Sequence, residues 1–178
     1  EQVLANNPAA IDAQLLKGQL LLNEGKRDDA FTAVRTAAST NPQSAEAQFA
    51  LGRLYASRGD VNAAEAAFRD VLRINPRAGA AQVEIARLQL TKGDTAGSLR
   101  TADEAARAQP QDLATRVTLV RSLLAAKDLG RAEREITALR TSAPNVAAVH
   151  SAAGMLALLK NDVVGARARR LRHLRIPG

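Results

Sequence analysis

Few residues of this chain have the types and spacing that catalysis requires. The sequence contains no Cys, and its two histidines, His150 and His173, belong to different predicted helices. Asp103 and Glu104 are adjacent, so their carboxylates diverge on a helix and cannot share one acid–base task. No Gly-rich loop has phosphate-binding spacing, and no cluster has metal-ligand spacing. We therefore predict a protein that is not an enzyme and that needs no cofactor and no metal.

Basic residues are the second group that could bind a ligand, and their excess is concentrated near the C-terminus. Residues 1–165 carry 20 Lys and Arg against 18 Asp and Glu, so this part is nearly neutral. The basic tail that follows has five arginines and no acid: Arg167, Arg169, Arg170, Arg172 and Arg175. Such a tail could bind the phosphates of a nucleic acid or another polyanion. The chain has one Tyr and three Phe, none of them in the tail, so a base-stacking platform is absent there. Nucleic-acid binding is therefore kept as an alternative.

The elements that position these residues follow a 34-residue repeat. Prolines recur at this interval, at Pro8, Pro42, Pro76, Pro110 and Pro144. Glycines recur between them at Gly25, Gly59 and Gly93, followed in phase by Lys127 and Asn161. The intervening segments have a 3.6-residue apolar period and strong helix formers. Each repeat is therefore predicted to be a pair of helices, with Asp60, Asp94, Asp128 and Asp162 as N-caps of the second helices.

The second repeat carries the fullest motif. Its key positions are Gln48, Leu51, Gly52, Tyr55, Ala64, Phe68 and Pro76. This series resembles the tetratricopeptide repeat, with only the Trp replaced. The resemblance implies an all-α, right-handed α-solenoid of stacked antiparallel helix pairs with about 11 helices. The whole chain, 1–178, would form one domain, with repeats at 11–42, 45–76, 79–110, 113–144 and 147–178.

Both ends of the chain depart from a regular repeat. Residues 1–8 align with the end of a second helix, so we expect a fragment of a longer array. At the other end, 163–176 should be the second helix of the fifth repeat. Arg170 and His173 replace apolar residues there, which makes this repeat degenerate and basic. The tail is interpreted as a polar capping helix, a functional basic segment or an artefact of cloning.

The family resemblance also implies a binding groove lined by the first helix of each repeat. Two columns of residues, each with a 34-residue interval, would face this groove. One column is apolar (Leu15, Phe49, Val83, Val117) and the other is polar (Gln19, Arg53, Arg87, Arg121). An exposed apolar column is costly without a ligand, and arginines can pair with the carboxylates of a peptide. The sequence therefore predicts a protein-interaction scaffold that binds a peptide or a partner surface. The alternative for the arginines is solvated charge, paired with acids such as Glu84.

Other partner classes have weaker support in the sequence. Chaperone-binding members of the family use a Lys and Asn clamp, but the corresponding residues here are Leu15, Gln19, Ala50, Ala80 and Glu84. A repeat end without a cap could stack on another copy, so we expect a monomer or weak self-association, with a self-assembling structural role as an alternative. No apolar run reaches the ~18 residues of a membrane span, and we predict no membrane insertion. The composition suggests a bacterial source and fits the cytoplasm and the periplasm equally.

Overall fold

Helix-forming residues fill the segments between the recurrent turns, and these segments are helical in the structure. The computed structural model describes the backbone of residues 8–173 and the side chains of residues 11–161. That part of the chain contains nine α-helices and no strand. The chain divides into two compact units between Lys92 and Gly93.

Unit 1 contains two and a half repeats. Its helices are α1 (Pro8–Asn23), α2 (Arg27–Thr40), α3 (Ala45–Ser57), α4 (Val61–Ile74) and α5 (Gly79–Thr91). Unit 2 contains α6 (Thr95–Ala108), α7 (Leu113–Ala125), α8 (Leu129–Ser142) and α9 (Ala147–His173). Within each unit, consecutive helices pack against each other, as the helix-pair prediction requires.

The turns inside the repeats depend on a left-handed residue at one phase. Gly25, Gly59 and Gly93 have φ angles of 78°, 79° and 79°, a conformation that glycine adopts without steric cost. Lys127 holds the same position in the fourth repeat with a φ of 59°. The following Asp residues cap the second helices as predicted: Asp60 accepts from the amide of Ala63, Asp94 from Gly97 and Asp128 from Arg131.

Small residues allow the two helices of a repeat to approach closely. Ala30, Ala64 and Ala132 share one repeat position and are completely buried. In unit 1, a cluster of core residues forms around Phe68, and the centre of its ring lies 5.2 Å from the centre of the Phe49 ring. The small alanines therefore allow the helices to approach, and the large aromatic rings fill the space that remains between them.

Ion pairs join residues of different helices that are 27 or 28 positions apart in the sequence. Lys92 and Arg69 place their nitrogens 2.9 and 2.7 Å from the carboxylate oxygens of the nearly buried Glu65. The hydrogen bond from Lys92 is the main cause that lowers the pKa of Glu65 below its ordinary value. In unit 2, Arg131 donates two hydrogen bonds to Asp103, at 2.5 and 3.2 Å. Lys92 thereby links the end of α5 to α4, and Arg131 links α8 to α6, whereas Arg69 and Glu65 lie on the same helix.

The fifth repeat differs from the prediction that each repeat is a pair of helices. No turn separates two helices there, because α9 runs without a break from Ala147 to His173. The predicted second helix at 163–176 is therefore wrong as a separate element, and Asp162 lies inside α9 instead of preceding a helix. A left-handed turn is strained without glycine, and burial of the next helix must offset that strain. Arg170 and His173 replace the apolar residues that would supply this burial, so the helix continues.

The same change explains the helix count. We expected about 11 helices; the described residues contain nine. The fifth repeat contributes one helix instead of two, and residues 1–7, where the end of a preceding repeat was expected, lie outside the described part. The assignment of 1–178 to a single domain stays a prediction.

Candidate functional site

A cleft in unit 1 lies between the first helices of two repeats. It has a volume of about 960 Å³. Helices α1 and α3 contact each other much less than either contacts α2, and this separation leaves the cleft open. Residues from both helices line it, including Leu15, Leu16, Gln19, Leu22, Ala50, Arg53 and Leu54. Three of the predicted groove residues, Leu15, Gln19 and Arg53, therefore lie on one surface.

Charged side chains without partners surround the apolar part of this cleft. Asp12, Glu46 and Arg53 line it, and none of them forms an ion pair with another described residue. Glu46 and Arg53 are seven residues apart on α3, which corresponds to about 10 Å along a helix. Opposite charges are therefore available at separate ends of the cleft. Leu16, with 61% of its surface exposed, supplies the apolar contact.

An ion pair packed on an aromatic ring also lines the cleft. Arg58 pairs with Asp28, and its guanidinium lies 4.0 Å from the centre of the Phe31 ring. The Phe31 ring also meets Tyr55 edge-to-face, with 5.2 Å between the ring centres. Because these contacts join α2 to the end of α3, they hold the wall of the cleft in place.

The predicted apolar column is not the exposed strip that the sequence suggested. Val83 and Val117 are buried, with only 4% and 6% of their surfaces accessible. Phe49 packs beside Phe68, and Leu15 is half-buried against a neighbouring core cluster. The expectation of an exposed apolar ladder is therefore wrong, because neighbouring helices cover most of it. The column contributes to the core first, and only Leu15 reaches a cleft in unit 1.

The polar column separates into paired and unpaired members. Arg87 is half-buried and donates a hydrogen bond to Glu84, with 2.8 Å between Nη1 and Oε1, so the alternative of a charge paired with Glu84 applies to this arginine. Gln19 donates to Asn23. Arg53 and Arg121 are exposed, and neither pairs with a described residue. Arg121 lies on a smaller cleft of unit 2.

Several lining residues were not predicted from the sequence. Asp12 and Glu46 are 34 residues apart, so the repeat phase itself contained the signal for an acidic pair at equivalent positions. Leu16 lies beside the predicted Leu15 but has the greater exposure, which periodicity alone does not distinguish. The predicted basic tail (Arg167, Arg169, Arg170, Arg172, Arg175) lies outside the described side chains.

The described residues form neither a metal-binding cluster nor a membrane-spanning helix. This part of the chain contains no group of three or more His, Asp or Glu side chains that could hold a metal ion. Its helices include none that is both long and apolar enough to cross a membrane. His150 is exposed on α9, and its side chain forms no hydrogen bond or ion pair with another described residue.

The recurrent helix pairs and the clefts between first helices define a helical-repeat protein of the interaction-scaffold type. The family model described as tetratricopeptide repeat matches residues 15–78 and 49–112, which together cover more than half of the sequence. The chain belongs to the tetratricopeptide repeat family, whose members are generally scaffolds without enzymatic activity. Comparison with curated proteins gives no significant match.

Solved structures show the same fold at low sequence identity. A tetratricopeptide repeat protein from Parabacteroides merdae matches 97% of this chain and 68% of its own, with 16% identity and a TM-score of 0.78. YrrB, described as having an unusual peptide-binding site, matches 83% of this chain and 76% of its own, with 18% identity and a TM-score of 0.66. The first tetratricopeptide domain of Spaghetti (RPAP3), bound to an HSP90 peptide, matches 66% of this chain and 93% of its own, with 13% identity and a TM-score of 0.60.

Proposed function

We propose that this protein is an interaction scaffold that binds a peptide segment or partner surface through its first-helix face, without chemistry of its own. The observation that carries the proposal is the cleft of about 960 Å³ between α1 and α3. Its volume lies at the upper end of the ~300–1,000 Å³ that is usual for ligand pockets. YrrB and Spaghetti, which share the fold, are both described with bound or binding peptides.

The chemistry of the cleft supports a peptide ligand over a small polar metabolite. Leu15, Leu16 and Leu54 give an apolar floor, where side-chain anchors would be desolvated. Arg53 and Glu46 are free to pair with opposite charges on a ligand. Partner recognition would thus combine apolar burial with charge pairing at separated points. The remaining groove predictions (Phe49, Val83, Arg87, Val117) take supporting positions, in the core or in internal ion pairs. The predicted monomeric or weakly associating state stays a prediction.

The test is selection of peptides from a random display library on the wild-type protein, followed by affinity measurement on variants. Leu16→Glu and Arg53→Glu alter the apolar and cationic parts of the cleft at exposed positions. Each should weaken the selected peptides by about tenfold, the effect of roughly 1.4 kcal/mol. Arg35→Glu is the matched control, because Arg35 is exposed on α2 but does not line the cleft. Unfolding midpoints should be nearly equal in all four proteins. Selected peptides that bind every variant equally would place recognition elsewhere and contradict the proposal.

A further inference from the structure

A separate cleft in unit 2 differs from the first one in its charge. It lies between α7 and α9 and has a volume of about 470 Å³. Its surface is mainly apolar and is formed by Leu124, Ala125, Ala148, Ala152, Met155 and Leu159, together with Ser151. Met155 keeps 51% of its surface exposed there. A flexible methionine at the mouth of an apolar cleft can adapt to side chains of different shape.

The charged residues that line this unit 2 cleft are all cations. Arg121 and Lys127 line it, and no Asp or Glu does. Both side chains are exposed and neither pairs with a described residue. Three other cations of the same unit are paired with acids: Arg116 with Glu135, Arg131 with Asp103 and Lys160 with Glu133. Arg121 and Lys127 therefore lie at an apolar cleft of unit 2 whose described lining contains no acid, which favours an anionic ligand.

The backbone at Lys127 gives an independent indication. Lys127 has a φ of 59° in the position where Gly25, Gly59 and Gly93 make the equivalent turns. A residue with a side chain is unfavourable in this left-handed conformation, and glycine is not. Strained residues of this kind concentrate at binding sites, where the side chain has a use that offsets the strain. The turn after α7 therefore carries an ammonium group where the repeat pattern provides a glycine.

We propose that the unit 2 cleft binds an acidic protein segment that inserts an apolar side chain between α7 and α9. Carboxylates on either side of the inserted residue pair with Arg121 and Lys127. The apolar floor favours such a segment over a nucleic acid or polyphosphate, because those ligands would leave Leu124 and Met155 without contacts. This inference rests on the proposed function, since it specifies what the first helices of unit 2 recognise.

The test uses fluorescein-labelled nine-residue peptides and fluorescence anisotropy. The first peptide alternates leucine with glutamate, the second replaces the glutamates with lysine, and the third replaces the leucines with alanine. We expect the first peptide to bind at least tenfold more tightly than the other two and more tightly than a labelled polyphosphate. Arg121→Glu should weaken its binding about tenfold. Arg140→Glu, which makes the same charge change at an exposed site outside the cleft, should leave binding unchanged.

Lys127→Gly gives the sharpest discrimination, because it should change binding and stability in opposite directions. Replacing the strained lysine with glycine should raise the unfolding midpoint and still weaken the acidic peptide several-fold. A purely structural role for Lys127 predicts no loss of binding. A variant with the tail arginines changed to glutamine should keep its affinity, and loss of binding in that variant would assign the acidic peptide to the tail.

The remaining outcomes separate this inference from the proposed function. Equal binding of the lysine or alanine peptide, or of polyphosphate, overturns the acidic and apolar specificity. If library peptides lose affinity in Arg53→Glu while no peptide responds to Arg121→Glu, the inference fails and the proposed function stands. If neither the library nor these peptides bind the wild-type protein, both fail.

Discussion

Gly52 and Gly154 occupy the same position of the repeat, but their surroundings predict opposite effects of adding a methyl group. In α3, a Cβ on Gly52 would lie 2.8 Å from Cε1 and 2.9 Å from Cδ1 of Phe68. Phe68 is completely buried, so its ring cannot move aside into solvent. In α9, a Cβ on Gly154 would have no neighbour within 4 Å among the described residues. The difference arises because α9 continues where the other repeats return with a second helix.

The magnitudes follow from two competing terms. Replacing a glycine in a helix interior with alanine gains about 0.8–1 kcal/mol of helix propensity. Overpacking a filled core costs about 1–3 kcal/mol. Gly52→Ala therefore combines both terms and should destabilise unit 1 by about 1 kcal/mol net. Gly154→Ala keeps only the gain and should stabilise α9 by about 1 kcal/mol.

Urea and thermal unfolding followed by circular dichroism at 222 nm can measure both variants. A change of 1 kcal/mol corresponds to roughly 2–4 °C in a chain of this size. The midpoint of Gly52→Ala should fall and that of Gly154→Ala should rise. Gly18→Ala is a second test of the clash, because its Cβ would approach Cγ2 of Val34 to 2.6 Å. If Gly154→Ala lowers the midpoint as much as Gly52→Ala does, another helix packs on Gly154. The reasoning from an unbroken α9 would then be refuted.

Two further predictions concern charged groups that support the helices. Glu65→Gln should cost about 1–2 kcal/mol at neutral pH, because it weakens the charged hydrogen bonds to Lys92 and Arg69. The pKa of Glu65 is lowered in the folded protein, so its contribution is present above the ordinary glutamate pKa and is lost as the pH falls through the folded value. Urea titrations of both proteins at neutral and acidic pH should converge on acidification, and a difference that grows instead would contradict the assignment. Asp112→Ala should cost about 1 kcal/mol, because it removes the N-cap of α7, where Asp112 accepts from the amide and hydroxyl of Thr115. Asp112→Asn, which can still accept these bonds, should restore most of the loss in the same unfolding assay, and equal losses in both variants would exclude the capping explanation.

Most of the fold could be predicted because each signal acts locally. Glycine at a left-handed position and an aspartate one residue later specify a turn and a cap without information from distant residues. The fourth and fifth repeats show that these local signals do not always predict the turn. Lys127 and Asn161 both replace glycine and both precede an Asp, but only Lys127 makes the turn. The outcome depends on whether the following segment has an apolar stripe to bury, and the local motif does not contain that information.

The candidate sites were less predictable, because exposure depends on neighbouring helices. Val83 and Leu15 have the same repeat position, but Val83 is buried and Leu15 lines a cleft. Likewise, Arg87 has Glu84 one turn earlier on its helix, and Arg53 has alanine at the equivalent position, Ala50. That second contrast is readable in the sequence and explains which arginine stays available. The unit 2 cleft was missed because its floor combines α7 with α9, whose course departs from the repeat pattern.

The ion pairs between different helices also have a kinetic consequence. Glu65 and Lys92 are 27 residues apart, Asp103 and Arg131 are 28, and Asp28 and Arg58 are 30. Contacts of such short range keep the contact order low, and chains of low contact order fold rapidly. We therefore expect a repeat to acquire its stabilising contacts as soon as the next helix has left the ribosome. At a synthesis rate of roughly 5–20 residues per second, each repeat has a second or more to fold before the following one emerges.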